Sequence, residues 1–513
     1  MARGARGARR AARPEAEALS AARFSRLVAA ELRLVLRERL TWAILAALLA
    51  ALCLAARTGA ERVETVRAAI AQAEDDGART VREARAAHAR YARPSPITVN
   101  YWQDPTDAFG YMTYFLAAHA VKPPTPLAHL AAGQSDVQPA LMRISFGFST
   151  VFDDTAYELG SAARLRLGAF DLAFVLVYLV PLAVIALAGT RLAAEQDTGI
   201  LRLIAAQPVG PRRVAAAKFG AVGLVALAGV LGGTGLALLM AGWSGPLAGW
   251  GGVLALIAAC LAAYTLFWVA ACALAASLWR GAVAALAILV LAWAGLTVAL
   301  PTALGLAVDL LAPRPSRIAA IDTSRQAQAA FYAGETGTRV ASAWLAARAP
   351  EAAARPGLSE KPEIKRLARD AFYDAALGQT RAALGAHARA LAAWSGRLAL
   401  LSPASALALA LEKAAGTDAA RHAAFLAAST AYRRDLRAFF EPRILAQALD
   451  PVPVCAGCPG RLDFDAYDAV PAFAPAPALA AARHQAGLSL AALVAMALAL
   501  AALAHRRLRR WPA

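Results

Sequence analysis

Residues 191–218 read RLAAEQDTGILRLIAAQPVGPRRVAAAK, a charged island between two long apolar runs, 169–190 and 219–242. Each flanking run is long enough to cross a hydrocarbon layer, so the island belongs at a water-facing surface. It combines a carboxylate, Glu195, a helix-start signal at Asp197, Thr198 and Gly199, and a short apolar stripe of Ile200, Leu201 and Ile204. Gln207 and Pro208 follow, and Arg212, Arg213 and Lys218 make a basic exit. The segment is too short to bury that stripe internally, and an apolar stripe left in water marks a docking element.

Composition agrees with a membrane setting. The 513 residues are 59% hydrophobic with a mean hydropathy of +0.48, which places the chain among polytopic membrane proteins. The formal charge of +18 is carried almost wholly by arginine; the lysines are Lys122, Lys218, Lys361, Lys365 and Lys413. This charge is read first as a topology signal and second as contact with anionic lipid; no nucleic-acid partner is expected.

Outward from the island, the chain divides by hydropathy into alternating apolar and polar pieces. Residues 1–39 are a basic tail and an amphipathic helix whose apolar face holds Phe24, Leu27, Val28, Leu32, Val35 and Leu36, a pattern suited to a membrane interface. Spans are expected at 40–56, 169–190, 219–242, 250–278, 282–304 and 486–504, six in all, followed by a basic tail at 505–513. Pro181 is expected to kink the second, and Gly229 with Gly233 in the third suits close packing, either within the chain or at a subunit seam. Between the spans lie two large polar insertions, 57–168 and 305–485, the first opening as a helical extension of span one. Within the second, the apolar piece 398–411 is too short to span and reads as a buried helix or one touching the membrane surface. Short connectors set the orientation: the island 191–218, Arg280 and the C-terminal tail are basic, while 243–249 carries no charge. The positive-inside rule puts both termini and the island in the cytoplasm and both insertions outside, together. The expected fold is mainly α: six transmembrane helices and a mostly helical extracytoplasmic domain made by the two insertions.

Catalytic signatures are missing. No Gly-Lys dipeptide occurs, so the chain holds no G-x-x-x-x-G-K-[ST] phosphate loop, and it has no G-x-S-x-G or H-E-x-x-H. His88, His119 and His129 lack ligand-like spacing, and Asp171 and Asp309 sit near span ends, where an ionisable group reaches water. Cys455 and Cys458 form a single CxxC. With no second pair, structural zinc is not expected; a local disulfide or an idle thiol pair are the alternatives.

The island resembles the segment of ABC-2 type exporter permeases written E-x-x-x-G-T-L-x-L-L-x-x-Q-P-V, followed by basic residues and a lysine opening the next span. Glu195, Gly199, Ile200, Leu201, Leu203, Ile204, Gln207, Pro208, Val209 and Lys218 occupy those places, with Ile200 where threonine is usual and Thr198 free to cap instead. Further pieces resemble the DUF3526 subgroup, which carries two large insertions: PLAHLAAGQSDVQP (126–139), FDLAFVLVYLVPLAVIAL (170–187), PRPSRIAAIDTSRQAQ (313–328), LSPASALALALEKAAGTDAARHAAFL (401–426) and FFEPRI (439–444). The resemblance implies a permease of a bacterial inner membrane, paired with a second copy or paralogue. It implies a separate cytoplasmic ABC ATPase that carries the ATP and Mg; the chain itself binds no cofactor. Thr198 to Ala206 is then the coupling helix, with Ile200, Leu201 and Ile204 in a groove of the ATPase and Glu195 in a charged contact nearby, or paired with Arg191 or Arg202. A membrane scaffold whose outer domain binds a periplasmic partner is the alternative reading.

Overall fold

Helix α1 covers residues 24–37, and after a break at Glu38 helix α2 (Arg39–Tyr91) runs for 53 residues. At 1.5 Å per residue α2 extends roughly 80 Å, far beyond a ~30 Å hydrocarbon layer. Its first part sends Leu48 and Leu52 into one core and its far part sends Ala84 into another, so it joins a helical bundle to an appended domain. This computed structural model describes residues 24–91, 100–146 apart from 101, 103, 134, 136 and 137, then 170–200, 211–242, 247–278, 281–450 and 464–509.

The chain continues through α3 (Leu172–Ala188), α4 (Arg191–Asp197), α5 (Pro211–Met240), α6 (Leu247–Leu278) and α7 (Ala282–Leu311). The domain helices α8 (Arg317–Tyr332), α9 (Thr336–Arg348) and α10 (Pro362–Leu398) follow, then α11 (Pro403–Ala415), α12 (Ala419–Leu449) and α13 (Leu479–Arg509). Among the described residues, five helices are long and apolar enough to cross a membrane: α2, α5, α6, α7 and α13. The second expected span is the shorter α3, which Asp171 starts: its Oδ1 accepts from the Phe174 amide at 2.7 Å, and its Oδ2 accepts from the Ala132 amide at 2.5 Å. Asp171 is therefore a buried cap and loop fastener. Asp309 pairs with Arg314 at 3.1 Å on the surface.

Two glycines of α5, Gly229 and Gly233, face α2. A methyl group on Gly229 would lie 2.6 Å from Leu45 Cδ2, and one on Gly233 would lie 2.8 Å from Leu52 Cδ1. The small-residue pair thus packs inside the chain. Replacing Gly233 with valine forces two helices apart, and a loss of about 1–2 kcal/mol is expected in chemical unfolding of the detergent-solubilised protein.

Two helices change pitch ahead of a proline. Helix α3 opens into a π turn at Val175–Leu179 before Pro181, and α7 does the same at Gly295–Ala299 before Pro301. Proline donates no N–H, so the carbonyl four residues earlier loses its partner, and in hydrocarbon that group must find another. Neighbouring helices supply donors. Tyr264 Oη on α6 donates to Val177 O at 2.7 Å, Trp293 Nε1 on α7 to Tyr178 O at 3.1 Å, and Ser402 Oγ, just before α11, to Leu296 O at 3.2 Å. The expected kink at Pro181 is thus a π turn stapled to α6 and α7. Tyr264→Phe should cost about 1–2 kcal/mol. The cost should shrink in a Pro181→Ala background, where an N–H can return to Val177 O; an equal cost in both backgrounds of that double-mutant cycle would refute the assignment.

The apolar piece at 398–411 enters the bundle. Ser402 lies beside Leu296, near the middle of α7, while Thr125 Oγ1 donates to Ala414 O at 2.8 Å and to Ala415 O at 3.0 Å at the domain side. The 13 residues of α11 climb roughly 20 Å between these points, part of the way through a bilayer. Leu407, Ala410, Leu411 and Ala414 join the bundle core, and α11 packs on α13, α6 and both π turns. Its ends are closed locally. Ser402 accepts from the Ser405 amide at 3.3 Å with Pro403 in the first turn, and Gly416, at φ 69°, ends the helix in the left-handed region. Helix α10 packs beside α7 and turns through Ala399–Leu401 into α11.

Both insertions share one core. Phe109, Tyr111 and Ile144 from the first meet Leu367, Phe440 and Tyr467 from the second. The first also forms a small antiparallel sheet absent from the sequence reading, Ala118–Val121 with Leu141–Ile144 in the register Ala118↔Ile144. At the junction Asp107 Oδ1 accepts from the Gly110 amide at 2.7 Å, Gln447 Nε2 donates to Asp107 Oδ2, and the Ala108 amide donates to Gln447 Oε1 at 3.1 Å. Burial, then nearby cations, depresses the His129 pKa; burial and Arg143 depress that of His119. Both histidines read as structural groups.

Candidate functional site at the basic loop

Helix α4 is one of the shortest in the chain, yet it is tied to α1, α2, α5 and α7. At its start the Arg191 guanidinium grips Glu38, between α1 and α2, with both oxygens: Nη1 to Oε1 at 3.0 Å and Nη2 to Oε2 at 2.5 Å. Arg191 Nε also donates to Leu187 O at 2.6 Å, which fixes the turn out of α3. A bidentate guanidinium–carboxylate pair constrains direction as well as distance.

One turn on, Glu195 Oε1 lies 2.7 Å from Lys218 Nζ on α5, and the same ammonium lies 2.8 Å from Glu31 Oε1 on α1. The three side chains are 24%, 8% and 12% exposed, so the cation is shielded between two carboxylates. Glu195 Oε2 is buried without a hydrogen-bond partner among the described residues. Of the alternatives for Glu195, the pairing with Arg191 is not formed: Arg191 is held by Glu38, and the lysine near the start of the next helix reaches Glu195 instead. Arg202 lies outside the described residues.

At the end of α4, Asp197 Oδ2 accepts from the Ala282 amide at 2.9 Å. The residue before α7 is Gly281, which has no side chain to cap the helix, so Asp197 caps it from across the loop. The Thr198 hydroxyl donates back to Ala194 O at 2.9 Å, closing α4, and Gly199 reverses the chain at φ 75°. Ile200 follows with 46% of its surface exposed. Leu201, Ile204, Gln207 and Pro208 lie outside the described residues, as do Cys455 and Cys458.

The arrangement can hold the root of the loop against four helices. Among the described residues no three His, Cys, Asp or Glu side chains gather as metal ligands. Residues 140–294 match the family described as ABC-2 family transporter protein. Over that stretch the chain carries the domain of that family. Residues 362–449 match a second family, the domain of unknown function DUF3526. No curated protein and no solved structure matches the chain. The first match contains α4, Lys218 and the π turn of α3; the second coincides with α10, α11 and α12. The ABC-2 protein is accordingly a multi-pass membrane protein and a permease component of an ABC transporter.

Three residues of the ABC-2 site were not singled out as its members from sequence. Glu31 and Glu38 are the acidic groups in and just after an arginine-rich helix, a signal that stands out only once their partners are known. Asp197 was legible as a helix signal but caps a different helix from the one it precedes.

Proposed function

We propose that this ABC-2 permease works in an exporter driven by a separate cytoplasmic ABC ATPase, which holds the ATP and Mg and docks on the loop after α4. The carrying observation is the Glu31–Lys218–Glu195 cluster, which makes the root of that loop continuous with α1 and α5. On this reading the basic loop and both termini are cytoplasmic, the domain lies outside an inner membrane, and the exposed Ile200 begins the surface that meets the ATPase. A push on the loop is carried by Arg191 to the α1–α2 junction, by Glu195 to α5, and by Asp197 to α7. Such a shift moves packed elements as bodies, the form of transmission that close-packed helices allow. The outward apolar face of α7, with Val283, Leu291 and Leu306, is available to lipid or to a second permease copy.

The test is co-purification. The permease is co-expressed with the ABC ATPase encoded in its gene neighbourhood and isolated through a tag on the permease. Ile204→Glu should reduce ATPase recovery at least tenfold without changing permease yield. Full recovery with that variant would remove the loop as the docking site.

A further inference from the structure

Helices α1 and α2 meet in an elbow at Glu38, and the outer side of that elbow is basic and apolar at once. Counted round α1, Arg26, Arg33 and Arg37 fall on one stripe, opposite Val35, which enters the bundle core. All three are exposed, as is Arg39 at the start of α2. Among the described residues none of the four arginines makes an ion pair. The two carboxylates of this stretch are committed elsewhere, Glu31 to Lys218 and Glu38 to Arg191. Beside the arginines stand Leu36, Leu40 and Trp42, the last two 64% and 57% exposed. Trp42 Nε1 donates to Leu36 O at 2.8 Å across the break, so one indole fixes the elbow and still turns its ring outward.

Two observations place the elbow at the membrane surface. Helix α2 is long and apolar enough to cross a membrane, and Trp42 lies in its first turn, where an exposed tryptophan suits the headgroup level. Lys218, two turns into α5, reaches Glu31, so α1 lies beside the ends of the bundle helices and not beyond them. We infer that the elbow binds an anionic phospholipid, its phosphate on Arg33 and Arg37 and its acyl chains along Leu36, Leu40 and Trp42. A guanidinium matches phosphate in charge and geometry. A zwitterionic lipid brings its own cation beside the phosphate, so unpaired arginines favour a lipid with net negative charge. The leucines and the indole continue the apolar flank of α2, which calls for an occupant charged at one end and apolar along the rest. Since Glu31 and Glu38 fasten this same elbow to α5 and α4, a lipid seated there braces the basic loop from the α1 side.

Native mass spectrometry of the full-length protein in detergent, titrated with phosphatidylglycerol or with phosphatidylcholine of the same acyl chains, tests the site. The first phosphatidylglycerol should bind at least tenfold more tightly than the first phosphatidylcholine. Arg33→Gln combined with Arg37→Gln, two exposed side chains that no ion pair ties to the fold, should abolish that preference. Arg506→Gln combined with Arg507→Gln, in the exposed basic end of α13, should leave it intact. Glycerol 3-phosphate, which has the phosphate without the chains, should not displace the lipid. Equal binding of both lipids, an undiminished preference in the elbow variant, the same loss in the α13 variant, or displacement by glycerol 3-phosphate would overturn the assignment. The assay contains no ATPase, so a failure here leaves the co-purification result standing, and the reverse holds equally.

Discussion

Lys218→Met is expected to be the most damaging single substitution at the loop, lowering stability by about 3–5 kcal/mol, because it leaves Glu31 and Glu195 facing one another with no cation between them. Methionine keeps the length and apolar stem of lysine, so the loss reports the charge and not a cavity. The remaining carboxylates are mostly shielded, and one of them must take up a proton or swing out, dragging α1 or α4 with it. Removing the charges as well should reverse most of the damage: the triple variant Lys218→Met, Glu31→Gln, Glu195→Gln is expected to recover within about 1–2 kcal/mol of wild type, since glutamines can meet without repulsion. Urea unfolding in detergent measures both. If Lys218→Met is as stable as wild type, the cluster does not hold the loop, and the proposed transmission route through α5 loses its support.

The second large effect lies in the domain and is set by pH. Burial pushes the Asp107 carboxyl up from an ordinary 3.8 to about 6, with Glu363 and Asp104 adding repulsion; the Gly110 amide and Gln447 oppose the shift only in part. A raised carboxyl in the folded state means that, between pH 4 and 6, the folded domain holds a proton that the unfolded chain has lost. Stability therefore falls as pH rises through that window, and above pH 6 the full penalty, about 3 kcal/mol, is present. Acidification from pH 7 to pH 4 should recover it. Asp374, whose carboxyl Arg437 and Arg381 hold below the usual range, contributes with the opposite sign, so the comparison must be made against Asp107→Asn at each pH. Pulse proteolysis of the full-length protein gives the difference. A wild-type minus variant gap that stays constant from pH 4 to 7 would falsify the linkage.

Several features were legible in the sequence because they depend on neighbours along the chain. Run length and hydropathy mark the bundle helices, since transfer into hydrocarbon sums over consecutive residues. The start and stop of α11 are written in Ser402, Pro403 and Gly416, because caps act within one turn. The basic island announced itself by contrast with the apolar runs beside it. Of the six expected spans only α3 is shorter than a spanning helix, and there Asp171 and Pro181 were visible signals whose consequence, a π turn, depends on donors from other helices.

The tertiary structure decided which distant groups meet. Glu195 had Arg191 and Arg202 as its candidate partners in the sequence; the angle between α4, α1 and α5 brings Lys218 to it instead of Arg191 and adds Glu31. Gly229 and Gly233 fitted an internal contact or a subunit seam equally well until Leu45 and Leu52 were found against them. Sequence by itself determined what each segment could tolerate as surroundings, because hydrophobic transfer and backbone capping are local sums. The assembled fold alone decided who supplies those surroundings, since ion pairs, cross-helix hydrogen bonds and close packing act over a few ångströms in space between residues far apart in the chain.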